Sequence, residues 1–282
     1  MKDSFYGWYM KCQSETQTLA VIPALHRSGR SGYCSIQVIT NNGVWEIPYP
    51  ESQFYYTGSS ILIGKNHFGK KGMYLSVHRP DFHMEGEVTF GELSPLNYDI
   101  MGPLVYVPFL ECRHMVWSMR HLVCGRVCIN GQEYCFHPGR GYWEGDRGTS
   151  FPREYLWSQC SFPAGSVMLS VADVPVAGFH ITGVIAVIHR KGKEYRLATY
   201  LGARIRVLQR QLIRITQGDM ELEVRLKEEK GRKLKAPASG KMVRKIYESV
   251  ACRAFYCFRK GKEILFAFET NRASFEYEYG RD

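Results

Sequence analysis

The sequence predicts an all-β fold, because turn dipeptides separate short apolar runs along the whole chain while signals for capped amphipathic helices are scarce. Asn42-Gly43 separates SIQVIT from VWEI, and Asn130-Gly131 separates HLVCGRVCI from QEYCF. Asn and Gly tolerate the positive φ that a two-residue hairpin turn requires. So many strands at short spacing favour barrels or sandwiches over an alternating α/β architecture.

The second half of the chain follows the same pattern. Lys191-Gly192 separates GVIAVIH from EYRLATY, and Lys260-Gly261 separates AFYCF from EILFAFE. RIRVLQ and MELEVRL alternate with a period of two, which indicates further strands. The similar turns RKGKEY and RKGKEI fit either convergent turn chemistry or a duplicated domain. With 282 residues, the chain can form two ordinary domains or one large β domain.

Composition excludes a disordered chain and predicts a sizeable core, with 45% hydrophobic and 13% aromatic residues. The N-terminus, MKDSFYGWYMKC, lacks the apolar segment of a signal peptide. The longest apolar stretch, Pro175 to Ile188, is too short to span a membrane. We therefore expect a cytoplasmic protein.

Nine cysteines, without an export signal, favour reduced thiols over a disulfide framework. A group of cysteines and histidines invites a zinc interpretation, but it contains no CxxC pair and straddles a predicted hairpin, so small buried thiols are the expected alternative. We expect neither a metal nor another cofactor. The group consists of His121, Cys124, Cys128, Cys135 and His137.

The net charge of +10 is concentrated late in the chain. Between Arg190 and Lys262 there are 21 Lys and Arg residues against 7 acidic residues. This excess suits either peripheral contact with an anionic membrane surface or a solvated surface without a dedicated partner. Nucleic acid is an unlikely partner, because no recognised binding motif accompanies the charge.

The segment from Gly141 to Gln159, GYWEGDRGTSFPREYLWSQ, is the most informative part of the chain. It places Glu144 and Asp146 among aromatic side chains, where desolvation penalises the charged form of a carboxyl group. This composition indicates acid chemistry on a hydrophobic substrate. A polar turn whose aromatics enter the core is the alternative.

The same segment resembles a motif of the tocopherol cyclase family, Gly-Tyr-x-Glu-Lys-Asp-Trp-Gly-x-Ser-Phe-Pro-x-x-Tyr-x-Trp-x-Gln. The chain departs from it at Gly145, where the family usually has Lys, and at Arg147, where the family usually has Trp. An upstream region is similar to the family pattern MECxHxVxSMxHxLxGxxxING, and LKAPASGKMVRKIYES is similar to a late family segment. The upstream matches are Gly102, Pro103, Pro108, Phe109, Glu111, Cys112, His114, Ser118, Met119, His121, Gly125, Asn130 and Gly131.

The resemblance implies two lipocalin-like antiparallel β-barrel domains, which we place at residues 1–147 and 148–282. It also implies a cofactor-independent ring closure of a prenylated quinol or related isoprenoid to a chromanol. A proton must reach an isolated alkene, and the tertiary cation that forms must be kept from water. A hydratase acting on an isoprenoid alkene and a non-catalytic binder of an amphipathic small molecule are the alternatives.

Within this resemblance, Asp146 is the first candidate for the catalytic acid and Glu144 the second. Extended backbone would put both carboxylates on one face. The guanidinium of Arg147, if close to Asp146, would favour the charged carboxylate and oppose this role, so Arg147 points to solvent or the protein has moved to another ligand or reaction. The candidate substrate-binding residues, which offer aromatic faces or orienting polar groups, are Tyr142, Arg147, Tyr155, Trp157, Gln159 and His114.

Overall fold

A computed structural model describes residues 3–108, 110–176, 179–228 and 231–280. Phe109, one of the positions matched above, lies outside this part of the chain. The described residues form 21 strands and three short 3-10 helices, in two antiparallel sheets. The predicted all-β fold is confirmed. The 3-10 helices are Glu51–Gln53, Gly102–Tyr106 and Thr199–Leu201.

The first sheet contains eleven strands in the order β4-β3-β2-β1-β11-β10-β9-β8-β7-β6-β5. Its strand β1 therefore pairs on one side with β2 and on the other with β11, the last strand of this half. Its strands are β1 (Ser4–Gln13), β2 (Thr18–Ser28), β3 (Ser31–Thr40), β4 (Val44–Pro50), β5 (Phe54–Tyr56), β6 (Ser60–Ile63), β7 (Asn66–Gly69), β8 (Gly72–Arg79), β9 (Phe82–Phe90), β10 (Cys112–Ile129) and β11 (Gln132–Gly148).

The second sheet repeats this connectivity with ten strands, in the order β15-β14-β13-β12-β21-β20-β18-β17-β16, and β19 pairs with β20. Its first strand, β12, pairs with β13 and with the last strand, β21, as β1 pairs with β2 and β11. Its strands are β12 (Tyr155–Phe162), β13 (Gly165–Val176), β14 (Phe179–Arg190), β15 (Lys193–Ala198), β16 (Arg204–Gln209), β17 (Leu212–Gln217), β18 (Met220–Glu228), β19 (Arg232–Ala238), β20 (Lys241–Lys260) and β21 (Glu263–Tyr277).

The pairing of the described residues leaves each sheet open, which corrects the expectation of closed barrels. The edge strands are β4 and β5 in the first sheet and β15 and β16 in the second. In both sheets the chain passes between the two edge strands through a 3-10 helix, at Glu51–Gln53 and at Thr199–Leu201. The edges therefore are not joined by the tight hairpin turn that would favour pairing.

The chain divides into two compact units, and the boundary between their main segments lies between Ser150 and Phe151. The first unit also takes the turn from Ala236 to Arg244, and the second takes the segment from Asn97 to Arg113. Each unit has its own apolar core on one face of its sheet. The first core includes Ile36, Phe68, Val123 and Trp143, and the second includes Leu156, Leu169, Val184, Leu222 and Phe258.

Two of the four predicted turns have positive φ at both residues of the dipeptide; at Lys260-Gly261 only Gly261 does, at 57°, and neither Asn42 nor Gly43 does. Asn130 and Gly131 both have positive φ, at 48° and 82°, and Lys191 and Gly192 have φ of 48° and 74°. Positive φ at both central residues matches the right-handed twist of the flanking strands. Among the described residues, no helix is long and apolar enough to cross a membrane.

Candidate active site

The candidate site is built on β11, whose side chains alternate between the two faces of the first sheet. Trp143 packs in the apolar core of the first unit. Tyr142, Glu144 and Asp146 therefore lie on the opposite face. The two-residue spacing brings both carboxylates to the same place on the sheet.

His114, on the adjacent strand β10, joins the two carboxylates. Its Nδ1 lies 3.0 Å from Oδ1 of Asp146, in a hydrogen bond. Its Nε2 lies 3.2 Å from Oε2 of Glu144, an ion-pair distance without the alignment of a hydrogen bond. The side chain of Asp146 is 23% exposed and that of Glu144 7%, so the group is largely shielded from water and Asp146 is its more accessible carboxylate. We term these three residues the carboxylate–histidine group.

His114 carries a positive charge at neutral pH. Burial by itself would lower the pKa of the imidazole, but the charges of Asp146 and Glu144 outweigh it and raise the pKa of His114 to about 10. The group therefore combines a cationic imidazole with two carboxyl groups, of which Asp146 is the more accessible to a substrate.

Tyr142 adds a hydrogen bond to this group. Its hydroxyl donates to Oε2 of Glu144 in a short contact. Burial, and then the charge of Glu144, raise the pKa of Tyr142 well above its ordinary value, so the phenol keeps its proton and remains a donor. Glu144 is thus held by two partners, Tyr142 and His114.

Strand β1 contributes residues that the sequence did not single out. Lys11 lies opposite Tyr142, Tyr9 opposite Glu144 and Gly7 opposite Asp146. Residues directly opposite each other in antiparallel strands share a face, so a buried lysine and tyrosine line the site and β1 has no side chain next to Asp146. A glycine inside a strand marks the close approach of a ligand or of another backbone, and a Cβ on Gly7 would lie 3.1 Å from Cβ of Ala24 on β2.

Arg147 lies on the other face of β11 from Asp146. It is exposed, and it stands opposite Tyr6 of β1, where its charge acts on the tyrosine hydroxyl. Of the two alternatives that the sequence left open, this is the one in which Arg147 points to solvent. Arg147 is therefore not the cation beside Asp146; that cation is His114, at 3.0 Å.

Gly145 shows why this chain departs from the family motif at that position. A Cβ there would lie 2.4 Å from the backbone oxygen of Gly7 and 2.8 Å from the ring of Trp117. Trp117 stacks on Trp143 with ring centroids 5.1 Å apart, and both rings contact Trp8. The indole of Trp117 occupies the space that a lysine side chain would need.

The remaining predicted substrate-binding residues belong to the second unit. Tyr155, Trp157 and Gln159 follow each other at two-residue spacing on β12, on the face opposite the second core, and all three are buried. The hydroxyl of Tyr155 donates to Oε2 of Glu276 at 2.6 Å, and Nε2 of Gln159 donates to Oγ of Ser161 at 3.3 Å. Whether they bind substrate stays a prediction.

The cysteines of the candidate zinc group are not the small buried thiols expected as the alternative, because Cys124 and Cys135 are exposed and Cys128 is half-buried. All nine cysteines are free thiols. His121 is buried against Phe90, at a ring-centroid distance of 4.4 Å, and its Nδ1 lies 2.9 Å from Oγ of Ser118. In the described residues, no group of three or more His, Cys, Asp or Glu side chains is arranged to hold a metal ion.

Comparison with known proteins identifies a shared fold but no family. No protein-family model matches the sequence, and no curated protein is detectably similar to it. Two solved structures have a similar fold. One, from Nitrosomonas europaea, is described as a candidate AttH protein; it has a TM-score of 0.55 and 9% identity, covering 99% of this chain and 93% of the other.

The other is kievitone hydratase from Nectria haematococca. It superposes with a TM-score of 0.58 at 7% identity, covering 98% of this chain and 89% of that protein. At this level of identity the likeness concerns the fold alone. Both structures are matched over nearly the full length, so the chain shares its whole two-sheet architecture with them.

Proposed function

We propose that this protein is an acid-catalysed enzyme of the tocopherol cyclase type, which closes the ring of a prenylated quinol to a chromanol. The observation that carries the proposal is the carboxylate–histidine group, an imidazolium held between two largely buried carboxylates. The sequence resemblance around Gly141–Gln159 supplies the reaction type. The fold neighbours are compatible with it but do not specify it.

The reaction begins with transfer of a proton from the carboxyl group of Asp146 to the less substituted carbon of the alkene. The π electrons form the new C–H bond, and a tertiary cation remains on the neighbouring carbon. The phenol oxygen then donates an electron pair to that carbon and closes the ring. Substrate and product have the same composition, so no redox partner is required.

His114 makes this proton transfer easier. When Asp146 loses its proton, the resulting carboxylate is hydrogen-bonded to the imidazolium of His114, which favours the charged form. The alkene is a very weak base, and stabilising the carboxylate lowers the cost of transferring the proton to it. His114 is thus a positioning residue that acts through Asp146.

The phenolic proton released by ring closure must return to Asp146. The carboxylate of Asp146, which gave its proton to the alkene, can take the phenolic proton directly, since it is the more accessible carboxylate of the group. His114 keeps both ring protons and its charge through this cycle, and Oε2 of Glu144, 3.2 Å from Nε2 of His114, supports that charge. Tyr142, which donates to the same oxygen of Glu144, holds that carboxylate in place.

A hydratase is the second candidate, favoured by the fold likeness to kievitone hydratase. The first step would be the same, but water instead of the phenol would capture the cation. Heavy-oxygen water separates the two reactions, because only hydration incorporates the label. A non-catalytic carrier would have been favoured by an Asp146–Arg147 ion pair, and the place of Arg147 on the other face of β11 does not support it.

The test is incubation of a prenylated hydroquinone with the purified protein, followed by mass spectrometry and chromatography of the chromanol. We expect Asp146→Asn to lower turnover by about 10²–10⁴-fold, the usual contribution of a general acid. Asp173→Asn is the matched control, because it alters another aspartate–histidine pair, with His180 at 2.6 Å. Arg147→Trp should retain activity. A protein that is equally active after Asp146→Asn would contradict the proposal.

A further inference from the structure

The hairpin of β13 and β14 carries an exposed apolar face. Along β14, Val184 and Ala186 point into the second core, so Phe179 and Ile181, at odd positions, lie on the opposite face. Phe179 is 74% exposed and Ile181 48%. Val174, which pairs with Ile181 across the hairpin, lies on the same face. The hairpin therefore presents apolar side chains to solvent, beyond the end of the core.

The other face of this hairpin is polar. Nδ1 of His180 lies 2.6 Å from Oδ2 of Asp173, and Thr182 pairs with Asp173 in the ladder. An extended hairpin with one polar and one apolar face is amphipathic. Such a shape suits a boundary between water and an apolar phase.

A second segment of the same unit carries another exposed aromatic side chain. Arg196 pairs with Val187 of β14 and holds this segment by hydrogen bonds to the carbonyls of Tyr98 and Asp99, at 3.0 and 2.7 Å. Its guanidinium stacks on the ring of Tyr98, 3.6 Å from the centroid. The segment continues into the 3-10 helix Gly102–Tyr106, whose last residue is 86% exposed.

Leu201, in the 3-10 helix that follows β15, is also exposed. This helix is tied to β14 by a hydrogen bond from the backbone N–H of Val184 to Oγ1 of Thr199, at 2.8 Å. The next strand brings two exposed arginines: Arg204 pairs with Thr216 of β17, and Nε of Arg206, at an irregularity in that pairing, donates to Oγ1 of Thr216 at 2.9 Å. Cationic and apolar side chains are thus combined in one part of the second unit.

We propose that Tyr106, Phe179, Ile181 and Leu201 form a membrane-contact patch that enters the headgroup region of an anionic bilayer. Single exposed apolar residues are ordinary, but a group of large ones marks an interaction site. The charge indicates the partner, since Arg204 follows Leu201 by three residues and the region from Arg190 to Lys262 has 21 basic against 7 acidic residues. Apolar insertion together with cationic attraction is the usual combination in peripheral membrane binding.

This inference does not depend on the proposed reaction, because it concerns a surface of the second unit and is read out by binding. It would also serve that reaction, since a prenylated quinol dissolves in a bilayer. A protein with this patch could collect such a substrate from the membrane.

The experiment is flotation of the full chain with vesicles of phosphatidylcholine and phosphatidylserine at low salt. We expect the double variant Phe179→Ser/Ile181→Ser to lower the partition coefficient by about tenfold or more, because two apolar side chains are lost from the bilayer contact. Arg204→Gln and Arg206→Gln should each lower it by about fivefold. The control is Ile264→Ser, which removes an aliphatic side chain of similar exposure, 54%, from β21.

Several results would overturn the proposal. Wild-type protein that stays out of the lipid fraction would do so, as would an equal loss of binding in Ile264→Ser. Sedimentation of the protein without lipid tests whether a second copy of the chain, instead of a bilayer, covers the patch. A wild-type dimer that Phe179→Ser/Ile181→Ser converts to monomer would assign the patch to self-association. Circular dichroism and urea unfolding of each variant establish that a loss of binding is not a loss of folding.

Discussion

Replacing His114 by glutamine leaves Glu144 and Asp146 without the cation that separates them. In the folded protein the pKa of His114 is raised from 6.5 to about 10, and each unit of pKa corresponds to about 1.4 kcal/mol. At pH 7, about three units below the folded value, the charged imidazole contributes up to roughly 4 kcal/mol to stability. This agrees with the roughly 3–5 kcal/mol lost when one partner of a buried ion pair is removed.

The pH dependence gives the sharper form of this prediction. Because the pKa of His114 is higher in the folded protein, its stabilisation is fully present below pH 6.5, the pKa in the unfolded chain. It is lost as pH rises through about 10. The difference in unfolding free energy between wild type and His114→Gln should therefore fall from roughly 4 kcal/mol at pH 7 to roughly 1 kcal/mol at pH 9.

Urea unfolding followed by circular dichroism at pH 7, 8 and 9 measures this difference. His83→Gln is the matched control, because His83 lies 3.8 Å from Glu85 in a pair that is about half exposed. Exposed pairs contribute about 0–1 kcal/mol, so this control should change little. If the unfolding free energies of wild type and His114→Gln differ by less than about 1 kcal/mol at every pH, the charge of His114 does not stabilise the fold.

Three further predictions concern acid stability, packing and pH-dependent activity. Burial lowers the pKa of His26 and of His121 to about 4. The free energy of unfolding should therefore fall as pH drops from 6.5 towards 4, by up to roughly 3 kcal/mol for each histidine. In urea titrations, His121→Gln should lose less of this free energy at acid pH than wild type. Gly145→Ala should destabilise the protein by about 1–3 kcal/mol in the same assay, whereas Gly183→Ala, whose new Cβ would lie 3.9 Å from Oγ1 of Thr199, should be nearly neutral. Because the proposed mechanism uses the charged imidazole of His114, kcat/KM should fall as pH rises through about 10; a rate that increases with pH over that range would contradict this role.

The sequence was sufficient for the local structure because hairpin turns are encoded by adjacent residues. Asn130-Gly131 and Lys191-Gly192 require positive φ, and the alternating runs on either side of each turn became strands. Closure of the sheets could not be predicted in the same way. It depends on how strands far apart in the chain meet, and the 3-10 helices at Glu51–Gln53 and Thr199–Leu201 leave the edges unpaired.

The same distinction applies to the candidate site. The spacing of Glu144 and Asp146 placed both carboxylates on one face, a property of a single strand. Their contact with His114 comes from the pairing of β10 and β11, and the presence of Lys11 comes from β1, more than a hundred residues away in sequence. The sequence resemblance identified His114 as a candidate, but its charge follows from the three-dimensional arrangement.

Reaction of a prenylated hydroquinone in heavy water tests directly whether Asp146 delivers the proton to the alkene. If a carboxyl of the carboxylate–histidine group protonates the alkene, its exchangeable proton is replaced by deuterium from the solvent. We expect wild type and Arg147→Trp to form a product with a single carbon-bound deuterium. Asp146→Asn should not form this product. A product without carbon-bound deuterium, or labelled product formed at an unchanged rate by Asp146→Asn, would contradict it.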